Sequence, residues 1–350
     1  MRALKRQIIG IKLFSLASLS VIGAVSAQDD LRENLTQCLL QSGQDGIIAC
    51  SSEIAERRSI LALWRRAELF LVESNFDGAV RDYNEIIKSF PASKAFLLRA
   101  TAFKKKGDLD RAISDYNEAI RLDPTNALAY IDRATLWSDK NDFERAIADF
   151  SEAIRLQPND AFSYIGRGMA WHDKNKFDTA IADFDKAIKI NPKEPLGYFN
   201  RGISFQSKNA LDRAIADYNE AIRLDLKTAI FYYHRGTAFQ EKGDNDRAIA
   251  DFNEAIRLNP RYSFSYVGRG MAWGKKGDFD QAINDFNEAI RLNENNSGAF
   301  YNRGISHEYK GNLAMALTDF RSFVRLLPNN SIGLKAVSRV EAKIDARRRK

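Results

Sequence analysis

Five prolines of this chain fall on a fixed interval. Pro124, Pro158, Pro192, Pro260 and Pro328 are separated by 34 residues or a multiple of 34. The two skipped stations hold Leu226 and Glu294, and Pro91 closes one further interval a residue early. A unit this short cannot bury a hydrophobic core by itself, so it must stack on copies of itself. The 350 residues would otherwise suggest two or three globular domains; the interval replaces that expectation with a linear array.

Each interval reads as two helices. In 127–160, Tyr130, Ala134 and Trp137 share one helical face, and Ala146, Ile147, Phe150, Ala153 and Ile154 share another. Between them stands Asn141, whose counterparts are Gly107, Asn175, Asn209, Gly243, Gly277 and Gly311. Gly and Asn tolerate the left-handed conformation that ends a helix. A following Asp, as in Asn141-Asp142 and Gly107-Asp108, can cap the second helix. Pro158 then stops it. The small residues Ala146 and Ala153 allow helices to approach, while Tyr130, Trp137 and Phe150 fill the space around them.

This pattern resembles the tetratricopeptide repeat family. The matching residues are Tyr130, Ala134, Trp137, Phe143, Ala146, Phe150, Ala153 and Pro158. The next unit repeats them as Tyr164, Gly168, Trp171, Phe177, Ala180, Phe184, Ala187 and Pro192. The resemblance covers residues 60–330 in eight units, starting near 60, 93, 127, 161, 195, 229, 263 and 297. It implies an all-α, right-handed superhelical solenoid of helix–turn–helix repeats, with the first helices lining the concave side. A longer duplication is also visible. Phe162 to Trp171 nearly recurs as Phe264 to Trp273, and Asn200 to Ser204 recurs as Asn302 to Ser306.

The ends differ from the array. Residues 1–27 read as a secretory signal: basic residues up to Lys12, an apolar run from Leu13 to Val25, then Val25-Ser26-Ala27 for cleavage. An uncleaved anchor is the alternative, although the run is short for a bilayer span. No stable membrane span is expected after removal of the signal, and the expected location is periplasmic or secreted. Residues 28–59 resemble a degenerate capping repeat, 331–346 a capping helix, and 347–350 a basic tail. Cys38 and Cys50 are the only cysteines. On the repeat register they lie on the two facing helices of the cap, so export favours a disulfide over two free thiols.

The charge argues against nucleic acid as a partner. Of the formal +7, four cations (Arg2, Lys5, Arg6, Lys12) lie in the leader and four (Arg347, Arg348, Arg349, Lys350) in the tail. The body is therefore close to neutral, without the basic surface that phosphate binding needs. Two charged columns recur in every unit. Arg66, Arg99, Arg133, Arg167, Arg201, Arg235, Arg269 and Arg303 form one; Asp82, Asp115, Asp149, Asp183, Asp217, Asp251, Asp285 and Asp319 form the other. Eight copies of an active site would be odd, so these read as structural ion pairs. Gly107-Asp-Leu-Asp110 and Gly277-Asp-Phe-Asp280 lack the remaining ligands of a calcium loop. Gly166-Arg-Gly168 and Gly268-Arg-Gly270 sit inside helices and make no phosphate loop. His172, His234 and His307 have no metal-ligand spacing. No catalytic residue, metal or cofactor is expected, and the chain is not read as an enzyme.

A second face of the first helices is the candidate site. It carries Trp64, Leu97, Ile131, Ile165, Met169, Phe199, Ile203, Tyr233, Val267, Met271, Tyr301 and Ile305. In the family this face looks into the groove, and aromatic and Met residues there suit an apolar peptide or helix. The same residues equally suit packing between neighbouring first helices. Asn200, Gln206, Tyr233, His234 and Gln240 are candidates for polar contacts. The expected function is a protein-binding scaffold or adaptor of the cell envelope, with a protein or peptide partner. The alternative is a structural element that associates through its ends or convex face.

Overall fold

The computed structural model describes residues 33–57 and 59–348. The signal segment 1–27, and Arg349 and Lys350 of the tail, lie outside the described residues. Among the described residues every regular element is an α-helix. The first pair is α1 (Glu33–Leu40) and α2 (Gly43–Arg57). Eight pairs of helices follow along the chain: α3 (Ile60–Val72) then α4 (Phe76–Ser89), α5 (Ser93–Lys106) then α6 (Leu109–Leu122), α7 (Ala127–Asp139) then α8 (Phe143–Leu156), and α9 (Ala161–Asp173) then α10 (Phe177–Ile190). The next four are α11 (Pro195–Ser207) with α12 (Leu211–Leu224), α13 (Ala229–Glu241) with α14 (Asn245–Leu258), α15 (Ser263–Lys275) with α16 (Phe279–Leu292), and α17 (Ser297–Tyr309) with α18 (Leu313–Leu326). The last helix, α19, spans Ser331–Arg348, so it takes up two residues expected in a free tail. The described residues form two compact units, divided between Ala170 and Trp171 within α9. Each is an all-α stack: α1 to α8 pack consecutively in the first, and α10 to α19 in the second.

The turns show why the interval is so regular. Asn141, Asn175 and Asn209 have φ of 61°, 60° and 59°, and Gly107, Gly243, Gly277 and Gly311 lie between 78° and 84°. Ser74 holds the same left-handed position in the first hairpin, at φ 59°, where neither Gly nor Asn marks it. The N–H three residues after the helix then bonds back five positions, as from Asp142 to Trp137 O at 2.8 Å and from Asp244 to Phe239 O at 2.9 Å. Asp108, Asp142, Asp244 and Asp278 cap the second helices by accepting a backbone N–H. Lys176, Ala210 and Asn312 occupy the same place without a side-chain cap.

Inside the hairpins, small and large residues alternate. Ala79, Ala112, Ala146, Ala180, Ala214, Ala248, Ala282 and Ala316 are fully buried. About one helical turn later, four residues on, come the aromatic residues Tyr83, Tyr116, Phe150, Phe184, Tyr218, Phe252, Phe286 and Phe320, all buried. Methyl-sized contacts let the helices close, and the rings fill the remaining volume. Some rings reach the next hairpin. A Cβ built at Gly166 would lie 2.4 Å from the Phe150 ring, and one at Gly268 2.6 Å from that of Phe252. Glycine is therefore a steric requirement at both places.

The charged columns pair as structural elements. Within the units, Arg66, Arg99, Arg133, Arg201, Arg235, Arg269 and Arg303 each pair with the Asp sixteen residues on, at 2.6–2.7 Å. The contact is bidentate: Arg235 Nε donates to Asp251 Oδ2 at 2.8 Å and Nη2 to Oδ1 at 2.7 Å. Nη1 of the same arginine reaches the preceding hairpin, donating to Asn219 Oδ1 at 2.7 Å. Asn84, Asn117, Asn253 and Asn287 serve Arg99, Arg133, Arg269 and Arg303 in the same way. One guanidinium thus closes its own hairpin and fixes the stacking of the previous one. Burial pushes the carboxyls of Asp217, Asp251 and Asp285 above the usual range despite the arginine.

The ends carry their own locks. Cys38 of α1 and Cys50 of α2 form a disulfide, and both residues are fully buried. At the other end, α19 packs on α18 through Ala336 and Val340. Arg339 and Lys343 both hold Glu308, each at 2.7 Å, and Arg347 Nη1 donates to Gly311 O at 3.0 Å. Arg339 and Lys343 thus face α17, and Arg347 the turn that follows it.

Candidate functional site

The expected site residues divide by burial. In the first unit Leu97 and Ile165 are 8% and 5% exposed, so they serve packing. Ile131 is half-buried against the cluster around Ala134 and Phe150, and Met169 is half-buried. Trp64 lies edge-on to Tyr83 at 5.8 Å, with the Lys94 ammonium 5.5 Å above its ring. Lys104 pairs with the buried Asp132 at 2.9 Å. This stretch of first-helix face is accordingly charged and internally paired.

The second unit is aromatic. Phe199, expected on the groove face, is only 2% exposed; its ring lies 4.7 Å from that of Phe231 and 5.2 Å from that of His234. It and Ile203, 7% exposed, support the face instead of presenting it. Val267, Tyr301 and Ile305 are half-buried, with Tyr301 against Phe320 and Phe323. Tyr233 continues outward: its ring lies 5.3 Å from His234 and 5.2 Å from Tyr262, which in turn lies 5.5 Å from Phe264. Phe264 is 52% exposed and Met271, seven residues on, is 36% exposed. A continuous run of rings thus leads from the core to an open apolar edge on α15.

Tyr262 and Phe264 were not among the residues expected from sequence. Phe264 opens the duplicated segment Phe264 to Trp273, which was its only signal. The expected polar contacts are instead internal. Asn200 Nδ2 donates to Leu196 O at 2.8 Å, and Gln240 Nε2 to Gly268 O at 3.2 Å. Gln206 accepts from the Tyr218 hydroxyl at 2.8 Å and donates to Glu241 at 2.8 Å. His234, enclosed by rings, has its imidazole lowered by burial to about 4. His172 Nδ1 and Ser204 Oγ are 3.0 Å apart.

Among the described residues, no three His, Cys, Asp or Glu side chains gather as a metal site. No described helix is long and apolar enough to cross a membrane. What the second unit offers is an exposed apolar patch on α15, at Phe264 and Met271.

Comparison with known proteins supplies the family. Profiles described as "TPR repeat" match residues 100–136, 168–209 and 204–243. Profiles described as "Tetratricopeptide repeat" match 229–262 and 263–296, 127–160, and 61–93. A comparison with curated proteins gives no match. Among solved structures, the chain is similar to one in the APC/C hetero-tetramer Cut9–Hcn1, with TM-score 0.60 and 17% identity over 88% of this chain and 62% of that one. It is also similar to a tetratricopeptide repeat protein from Parabacteroides merdae ATCC 43184, with TM-score 0.57 and 17% identity over 71% of this chain and 98% of that one. A third is yeast Tom70, with TM-score 0.54 and 20% identity over 92% of this chain and 66% of that one. The chain therefore spans less than two thirds of the Cut9–Hcn1 and Tom70 chains that it matches, and at these identities the likeness concerns the fold.

Proposed function

Because the chain belongs to the tetratricopeptide repeat family, whose members generally serve as protein-interaction scaffolds, we propose that it is a non-catalytic adaptor of the cell envelope. It holds a segment of another protein against the first-helix face of its second unit. One observation carries this reading: the ring sequence Tyr233, Tyr262, Phe264 ends at side chains left open to solvent, with Met271 beside them. Exposed aromatic side chains on a rigid support are efficient contact residues, because few rotamers are lost when they are covered, and Met adapts its shape to what it meets. The buried Cys38–Cys50 bridge and the leader-like residues 1–27 support an oxidising, exported setting.

The test is a capture experiment from envelope extract, comparing the parent with Phe264→Glu/Met271→Glu. Both positions are exposed, so helicity should be unchanged. Partners held by the parent and lost by the variant support the reading; partners held equally by both defeat it. N-terminal sequencing tests the location separately, since an exported chain should begin at Gln28. A second reading has its own observation. Leu40 and Ile48 at one end, and Ile332 and Leu334 at the other, are 48–78% exposed, which suits assembly through the ends. Concentration-dependent self-association, abolished by Leu40→Glu, would favour it.

A further inference from the structure

The twelfth residue of the first helix repeatedly bridges to the next first helix. Lys104 reaches Asp132 at 2.9 Å, His172 reaches Ser204 at 3.0 Å, and Gln206 reaches Glu241 at 2.8 Å. Gln240 reaches Gly268 O at 3.2 Å, and Glu308 accepts from Arg339 and Lys343. Between the last two stands Gly274 of α15, which has no side chain to cross towards α17.

Packing does not demand this glycine. A Cβ at Gly270 would meet the Phe286 ring at 2.8 Å, whereas one at Gly274 would meet only Ala282 Cβ, at 4.0 Å. Gly274 stands in the last turn of α15, and His172 holds the corresponding place after the duplicated segment. The neighbourhood is open and apolar. Met271, one turn before Gly274, is 36% exposed, and Tyr309 of α17 is 73% exposed, stacked on Phe279 at 4.9 Å.

Its charge is unbalanced. Lys276 and Lys310 are held by Asp246 and Asp280, and Glu308 is held by two cations. Lys275 is exposed and has no ion-pair partner among the described residues.

We propose that the gap at Gly274, between α15 and α17, receives a bulky apolar side chain from a partner protein segment, and that Lys275 pairs with an acidic residue beside that side chain. The favoured occupant is thus an aromatic or leucine residue flanked by Asp or Glu. This rests on the first-helix face being the contact surface, and narrows it to one seam. A side chain anchored in a gap between rigid helices concentrates binding in a few contacts, and the adjacent lysine supplies selection by charge.

The test uses short fluorescent peptides and the full-length chain, read by anisotropy. The probes carry a central Phe, Leu or Ala between Asp pairs, or Phe between Lys pairs. The Phe and Leu peptides with Asp flanks should bind, and the Ala and Lys-flanked peptides about tenfold more weakly or worse. Gly274→Gln, which installs the side chain found at Gln240, should weaken the Phe–Asp peptide about tenfold without lowering thermal stability. Lys275→Glu should reverse the preference for flanking charge. Unchanged affinity in Gly274→Gln, indifference to flanking charge, or no binding of the Phe–Asp peptide up to ~1 mM would each overturn the proposal. If Phe264→Glu/Met271→Glu abolishes partner capture while Gly274→Gln does not, the contact face stands and the gap is refuted.

Discussion

Replacing Arg235 by Met tests the claim that one guanidinium ties two hairpins. Arg235 makes two bonds to Asp251, at 2.8 and 2.7 Å, and one to Asn219 at 2.7 Å. Asp251 is 5% exposed, so the substitution strands a buried carboxylate. Breaking one partner out of such a pair costs about 3–5 kcal/mol. Removing only the exposed arm by Asn219→Ala should cost about 0.5–1.5 kcal/mol. Arg235→Lys keeps the charge but loses the planar fork, and should fall between the two. The double variant Arg235→Met/Asp251→Leu removes the stranded charge and should recover most of the loss. Burial already raises the Asp251 carboxyl, and loss of Arg235 raises it further. With the folded value above the unfolded one, protonation favours the folded state, so the deficit of Arg235→Met should shrink as pH falls towards 4. Guanidinium unfolding followed by circular dichroism gives the energies, and hydrogen exchange at α13 and α14 gives the location. A cost below about 1 kcal/mol for Arg235→Met, or a double variant no better than the single, would refute the reasoning.

Other perturbations address separate features. Reducing the Cys38–Cys50 bridge, which closes a twelve-residue separation, should cost about 3 kcal/mol, with faster hydrogen exchange confined to α1 and α2. Gly268→Ala would place a methyl 2.6 Å from the Phe252 ring and should destabilise by about 1–3 kcal/mol; Gly274→Ala, with room to spare in the last turn of α15, should stabilise slightly, by less than the ~1 kcal/mol of a helix interior. Thermal melts separate the two. The His234 imidazole falls from 6.5 to about 4 in the folded chain, so its contribution is fully present above pH 6.5 and is lost as pH falls to about 4. His234→Phe should flatten that window by up to about 3 kcal/mol, measured as the change in unfolding free energy between pH 7 and pH 4.

The sequence by itself determined the features that depend on local geometry. A left-handed residue, a capping Asp and a terminal proline are preferences of single backbone positions, so Gly107, Asp108 and Pro124 could be read without knowing what they touch. Ser74 is the exception that shows the mechanism: closure of the hairpin imposes φ 59° on a residue with no marked preference for it. The Arg and Asp columns were visible as repetition, but the third bond, to Asn219 and its counterparts, joins residues fifteen or sixteen apart on different hairpins. Only stacking brings them together. The candidate site divides in the same way. Phe199 and Phe264 are chemically identical and lie on equivalent helices, yet one is 2% and the other 52% exposed. An apolar side chain is equally suited to a seam or a surface; which it meets is decided by the neighbouring helix, and that is a property of the packed structure alone.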